Sequence, residues 1–286
     1  MPAAERIFKD IKHALRWLLQ GFKGGFPPPT ILVYPHYPSR RSTIYNLALH
    51  LGYNFTNKGH THAQVAIYWE YLTFREEYQW LEKLNKQIPV INLYSRDISK
   101  LHIDAVHREI FGYSTAVDPL QYQGKMVRKN DVNARHDGAI VEGPLAQKEE
   151  GYIYQILIDN QHGDNLVMDI RVPVIGGLLE FVYLKYRHLH ERFKNPIRSV
   201  ITPIQEALSK EEIHTLEQYC EALNLEYGEL DVLRHKKDGK IYVVDVNNTP
   251  QGPPTYMGKK EYKRALRQMG KALRKLIDRK MTGETR

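Results

Sequence analysis

The chain has 286 residues, 42% hydrophobic and 26% charged, a balance that excludes wholesale disorder and leaves room for more than one compact unit. Its single cysteine, Cys220, excludes an intrachain disulfide scaffold. No apolar run approaches the roughly 20 residues that span a bilayer, and the first residues lack a signal-peptide pattern, so a cytoplasmic protein with no transmembrane segment is expected. The net charge of +8 suggests, taken whole, nucleic acid, a membrane surface or an acidic ligand as partner. Between Lys259 and Lys280, however, ten cationic residues stand against two acids, and the rest of the chain balances at 31 of each sign. The excess belongs to one segment.

In chain order, Ile7, Ile11, Leu15 and Leu18 recur at helical spacing, and Phe22-Lys-Gly-Gly-Phe-Pro-Pro-Pro29 predicts a break, so residues 1–29 read as a helix and linker. That helix fits packing on the body or a partner, and also a position on a membrane. Ile31-Leu-Val-Tyr34, Val65-Ala-Ile-Tyr68 and Pro89-Val-Ile-Asn-Leu93 predict short buried strands. Helical patterns alternate with them, one through Ile44, Leu47 and Leu51 to a stop at Gly52, another around Tyr78 to Lys86. The alternation predicts a small open α/β domain over residues 30–97. Pro38-Ser-Arg-Arg-Ser-Thr43, between strand and helix, fits an anion or substrate-carboxylate pocket and equally a polar loop with a capping serine. Gly59-His-Thr-His62 and His188-Leu-His190 each pair two histidines without an identifiable third ligand, so neither predicts a metal centre.

From about residue 98 the texture changes. A helix is predicted from Lys100 to Phe111, ending at Gly112, followed by β-rich segments at Lys125–Lys129, Gly151–Ile158, Asn165–Ile175 and Leu178–Tyr183. Ile213, Leu216, Tyr219, Cys220 and Leu223 line one face of a helix over Lys210 to Leu223. Gly228–Arg234 and Lys240–Pro250 then flank the turn Lys237-Asp-Gly239. Residues 259–286 read as a basic amphipathic helix and tail, with Ala265, Leu266, Met269, Leu273 and Leu276 on its apolar stripe. Its other face fits a solvated surface or a contact with an anionic partner.

The hairpin carries the sharpest chemistry. Strand period places Asp245 and Asn247 on one face and Val244 and Val246 on the other, and pairing through the Asp238-Gly239 turn can set Asp231 opposite Asp245. Two carboxylates and an amide oxygen on one face repel unless a hard cation joins them, and Mg²⁺ favours such oxygens. A surface hairpin with solvated acids is the alternative.

Asp231, a hairpin, then Asp245-Val-Asn247-Asn-Thr-Pro250-Gln-Gly252 resembles the metal-binding end of the ATP-grasp superfamily. The resemblance extends upstream in order. Lys100, leading a helix and Gly112-Tyr-Ser-Thr115, resembles a phosphate-contacting lysine, and Lys129 in Met126-Val-Arg-Lys129 the strand lysine that touches ATP phosphates. Asn133-Ala-Arg-His-Asp-Gly138 stands in the place of the mobile phosphate loop, with His136 as its assigned residue. Gln155-Ile-Leu157-Ile158 is similar to the hinge that reads the adenine edge. Asp169-Ile-Arg171-Val-Pro-Val-Ile-Gly-Gly177, with Lys185 and Arg187 beyond, resembles the basic strand pair facing the phosphates and the reacting carboxylate.

The resemblance covers roughly residues 98–258 and implies an α/β (α+β) ATP-grasp fold preceded by the small open α/β domain. It implies a small subdomain over 98–165 and a large one over 166–258 that carries the metal site. The implied cofactors are ATP and Mg²⁺, one or two ions, with Mn²⁺ as an alternative, held by Asp231, Asp245 and Asn247. The implied reaction joins a small-molecule or peptide carboxylate to an amine through an acyl-phosphate, with Arg171, Lys185 and Arg187 as catalytic groups. A kinase on the same nucleotide site and a non-catalytic nucleotide- or polyanion-binding protein are the alternatives, and pairing of two chains is common in the family. Two features depart from the pattern: the phosphate loop has one glycine, and Asp245 stands where glutamate is usual. Each role also has a structural alternative. Arg171 and Arg187 fit pairing with Asp169 and Glu180, Lys129 a solvated edge, Lys100 an ordinary helix start, and Gln155 a cap on the hinge.

Overall fold

The computed structural model describes residues 14–23, 25–58, 62–132, 135, 137–254 and 256–283. The first helix, α1, is described over residues 14–23 and so runs through Phe22 and Lys23, where the linker was expected to begin. Neither residue opposes a helix; Gly25, at φ 95°, departs from it.

Strands β1 (Thr30–Pro35), β2 (Asn54–Thr56), β3 (Val65–Trp69) and β4 (Val90–Ile91) pair in parallel in the order β2-β1-β3-β4. Such a sheet is buried on both faces, which is why its strands read as continuous apolar runs. Ile31, Val33 and Ile67 enter one core cluster, Leu32, Ala66 and Tyr68 another. Helix α2 (Thr43–Leu51) starts where the Ser42 hydroxyl accepts from the Tyr45 N–H and stops at Gly52, whose φ of 82° suits only glycine well. Helix α3 (Gln79–Leu84) packs Leu81 on the second face.

Helix α4 (Lys100–Phe111) is capped by Ser99 and leads to a three-stranded antiparallel sheet, β5 (Gly124–Asn130), β6 (Ala139–Gly143) and β7 (Tyr152–Ile156), in the order β6-β5-β7. The larger antiparallel sheet comprises β8 (Gln161–His162), β9 (Leu166–Ile175), β10 (Phe181–His188), β11 (Arg198–Pro203), β12 (Tyr227–Arg234) and β13 (Ile241–Asn247). Its order is β11-β10-β9-β12-β13, with β8 on β9. Helices α5 (Ile204–Ala207) and α6 (Lys210–Ala222) join α4 over one face, where Ile170, Val172, Val182, Leu230 and Val232 meet Ile103, Leu216 and Tyr219. A reciprocal cap between Ser209 and Glu212 fixes the start of α6.

The other face of that sheet is divided. At one end Ile175, Phe181, Tyr183 and Tyr227 join the parallel sheet and the apolar stripe of α7 (Lys259–Thr282) in one core. At the other end the same face carries charge.

Candidate active site

Alternation on β9, β10 and β12 sends Ile170, Val172, Val182, Leu230 and Val232 under the helices, so Arg171, Lys185, Glu229 and Asp231 share the opposite face. Arg171 pairs with Asp231 in register, and Asp231 with Asp245. The hairpin thus sets the two acids opposite one another, as its turn implied.

Arg171 grips Asp231 with two parallel bonds, Nε to Oδ1 at 2.9 Å and Nη2 to Oδ2 at 3.0 Å, and Lys185 Nζ reaches Oδ1 at 3.0 Å. The remaining Arg171 nitrogen, Nη1, lies 3.2 Å from Glu229 Oε2. Burial opposes ionisation of Asp231, but the two cations outweigh it and hold the carboxyl well below the usual range. Arg171 is pulled up by Asp231 and Glu229 against its own burial. Lys185, 2% exposed, is pushed down by burial despite Asp231. Burial also pushes Asp245 up, and its Oδ1 is buried with no hydrogen-bond partner. Lys100, the first residue of α4, and Lys129, near the end of β5, both bear electrostatically on Asp245, which brings the small sheet, the helix start and the large sheet to one point. Burial lowers Lys129, with Asp245 opposing that shift.

The expectation for Val244 is corrected. The β12–β13 register shifts between Asp231 and Val232, which pair with Asp245 and Val243, so Val244 is the extra residue of a bulge. Val246 joins the core under the helices, but Val244 leaves it to pack with Ile158 and Tyr242. The bulge therefore puts an apolar side chain next to Asp245 and against the hinge.

Arg187 does not hold Asp231, although its charge bears on Lys185. It pairs with Asp169, its structural alternative, and its Nε donates to the Lys194 carbonyl at 2.6 Å. Arg171 does not take the corresponding alternative, since Asp231 and Glu229 hold it. At the hinge, Gln155 is buried and its Nε2 donates to Thr115 Oγ1 at 2.7 Å, Leu157 is half-buried, and the Ile158 carbonyl accepts from Arg192 Nη2 at 3.0 Å. His136 lies outside the described residues, as does His60 of the Gly59–His62 pair. In the loop before α2, Ser39 Oγ donates to Gln251 Oε1 at 3.1 Å, and at the start of α2 the Thr43 N–H donates to the Pro250 carbonyl at 2.9 Å, tying the segment after β13 to the parallel-sheet unit.

Sequence reasoning missed Glu229. It is 2% exposed, neither oxygen has a hydrogen-bond partner, and burial pushes it up to about 7 against the Arg171 charge. The signal was present, because Glu229 and Asp231 obey the period that placed Asp245 beside Asn247.

Among the described residues no cluster of three or more His, Cys, Asp or Glu is arranged to hold a metal. Asp231, Asp245 and Asn247 offer two carboxylates and an amide oxygen, and Asn247 Oδ1 already accepts from the Thr249 N–H at 2.9 Å. The partnerless Asp245 oxygen beside a second carboxylate is a donor set that would suit Mg²⁺.

No family model matches the chain, and no curated protein matches it in sequence. Solved structures do match over most of its length. The D-alanine–D-alanine ligase from Bacillus anthracis complexed with ATP aligns with a TM-score of 0.56 at 17% identity, covering 90% of this chain and 99% of that one. The ATP-grasp ligase PsnB, complexed with precursor peptide PsnA2 and AMPPNP, aligns at 0.57 and 12%, covering 88% and 96%. The VanG D-Ala:D-Ser ligase from Enterococcus faecalis aligns at 0.51 and 13%, covering 76% and 74%. The fold is ATP-grasp. At these identities the likeness is one of fold, and the ligands of those proteins remain theirs. The α/β (α+β) architecture with a leading open parallel sheet is the fold these structures share.

Proposed function

We propose that this ATP-grasp chain is an ATP- and Mg²⁺-dependent ligase that joins a carboxylate to an amine. The observation that carries the reading is the facing pair Asp231 and Asp245, one oxygen of Asp245 partnerless, with Arg171, Lys185, Lys129 and Lys100 around it. Phosphoryl transfer asks a protein for positioning and charge neutralisation more than covalent help, and this cluster offers both. Bound Mg²⁺ would supply charge neutralisation for the phosphates, and Asp231, Asp245 and Asn247 would hold it.

Lys100 and Lys129 place point charges on the phosphates. Arg171 spends its planar fork on Asp231 and its remaining nitrogen on Glu229, orienting Asp231 in a geometry lysine cannot copy and setting its charge beside the transferring group or the reacting carboxylate. Lys185 keeps Asp231 ionised and sits one strand from Arg171. In this scheme a carboxylate oxygen of the first substrate attacks the γ-phosphorus and ADP departs. The amine then attacks the acyl carbon, loses a proton, and phosphate leaves with the bridging oxygen. Gln155, Leu157 and Ile158 line the base end, floored by Val244 and Tyr242. Arg187, through Asp169, orders β9 beside that end.

The names of the solved neighbours, ligases for D-alanine, D-serine and a precursor peptide, support the reaction class and leave the acceptor open. The test is ADP release from Mg-ATP over a panel of carboxylates with amines, followed by product analysis. An amide with free phosphate supports the ligase. A phosphorylated metabolite without free phosphate supports the kinase reading instead.

A further inference from the structure

Helix α1 is inside out. Leu15, Leu18, Leu19 and Phe22 recur at helical spacing on one face, yet all four are exposed, Phe22 at 80%. Arg16 and Gln20 turn inward instead. Arg16 donates to the Tyr37 hydroxyl at 2.6 Å with its guanidinium over the Tyr45 ring, and Gln20 is 1% exposed. Phe26, itself exposed, extends the outer face by packing against Trp17 and Phe22 at 5.3 and 5.5 Å between ring centres. An ordinary surface helix buries its apolar stripe, whereas none of the described residues buries this one, which fits an apolar contact with a partner.

Helix α2 links this helix to α7, which carries the positive excess of the sequence. The Lys23 ammonium of α1 donates to the Leu49 carbonyl in the last turn of α2 at 3.3 Å. Two residues on, Leu51 floors a groove of about 700 Å³ together with Gly270 of α7. Arg267, Lys271, Arg274 and Lys275 line this groove, with Asp278 as its one acid. Among the described residues Arg267, Lys271 and Lys275 make no ion pair, whereas Lys280 is taken by Glu226.

We propose that α1 and the groove face of α7 together dock this protein on an anionic lipid surface. The apolar stripe inserts at the acyl boundary and the cations meet headgroup phosphates, the two-part attachment that makes peripheral binding stable. Nucleic acid would use the cations but leave the exposed leucines and phenylalanines without a role. A second copy would bring two cationic faces together. No helix among the described residues is long and apolar enough to cross a membrane, so the attachment is peripheral for this part of the chain.

The full chain is to be sedimented with phosphatidylcholine vesicles and with vesicles containing about one-third phosphatidylglycerol, at low and moderate salt. Binding to the anionic vesicles alone is expected, weakening with salt, with a blue shift of Trp17 emission. The triple variant Lys271→Glu, Arg274→Glu, Lys275→Glu should lower partitioning about a hundredfold. The pair Leu18→Asp, Phe22→Asp should abolish the shift while leaving ATP turnover and circular dichroism unchanged. Should that pair misfold, the milder Leu15→Gln with Leu19→Gln tests the same face. Absence of binding to anionic vesicles at low salt overturns the proposal. So does DNA binding that outcompetes vesicles and ignores the leucine and phenylalanine changes, or a dimer in solution that those changes dissociate.

Discussion

Replacing Asp245 by Asn removes a charge that the fold tolerates poorly and the proposed chemistry requires. Its Oδ1 is buried without a partner, which alone costs about 1–3 kcal/mol. Asp231 across the register adds repulsion, while Lys100 and Lys129 offset part of it; the raised carboxyl shows that the penalties prevail. A neutral amide of the same shape should therefore leave stability unchanged or raise it by about 1 kcal/mol. Asp231→Asn should act in the opposite sense. It strips Lys185, a 2% exposed cation, of its carboxylate and leaves Arg171 only Glu229, for a loss of about 3 kcal/mol. Urea denaturation at pH 7 without added metal measures both, and ADP release from Mg-ATP measures function. Both variants should lose turnover by about 10²-fold or more. An Asp245→Asn protein that is destabilised by more than about 1 kcal/mol and still turns over ATP would refute the reasoning, because the carboxylate would then be structural.

The remaining predictions concern the same face. Mg-ATP should raise the melting temperature of the wild-type chain, as any ligand of the native state does, and should not raise that of Asp245→Asn; a thermal-shift titration reads this. Glu229, with its carboxyl pushed up to about 7, binds a proton more tightly folded than unfolded. Its contribution is fully present below the unfolded value near 4.5 and is lost as pH rises through 7, up to about 3 kcal/mol. Glu229→Gln should flatten that fall in urea titrations between pH 4.5 and 7.5, and an unchanged slope counts against the assignment. Arg171→Lys keeps the charge and loses the fork, so turnover should drop about 10²-fold with little change in nucleotide affinity by calorimetry. A Cβ on Gly228 would lie 2.7 Å from the Asn247 carbonyl oxygen, so Gly228→Ala should cost about 1–3 kcal/mol and slow turnover by shifting β13.

What the sequence disclosed and what it hid follow from the range of each interaction. The β12–β13 hairpin was legible because a two-residue period and an Asp-Gly turn are local, and they set Asp231 opposite Asp245. Helices α2 and α4 were legible from their periodicity and from Gly52 and Gly112 at their ends. The bulge at Val244 was not, because the extra residue is defined only by its partner strand. Strands β2, β6 and β11 escaped because each is an edge strand held by a single neighbour and carries no continuous apolar run of its own. Periodicity revealed the stripe on α1 but carries no information on which way the stripe faces. Charge partners were the hardest to read: Arg171 had several acids within reach in sequence, and only the sheet register chose Asp231 over Asp169. The +8 excess, in contrast, was assigned from composition to the segment that became α7.

The central claim is tested most directly by following oxygen. A carboxylate substrate labelled with ¹⁸O, incubated with Mg-ATP, an amine and the protein, should yield an amide and inorganic phosphate that carries one labelled oxygen, because the bridging atom leaves with phosphate when the amine attacks. ADP formed with all label retained in a phosphorylated product, or with unlabelled phosphate, would contradict it.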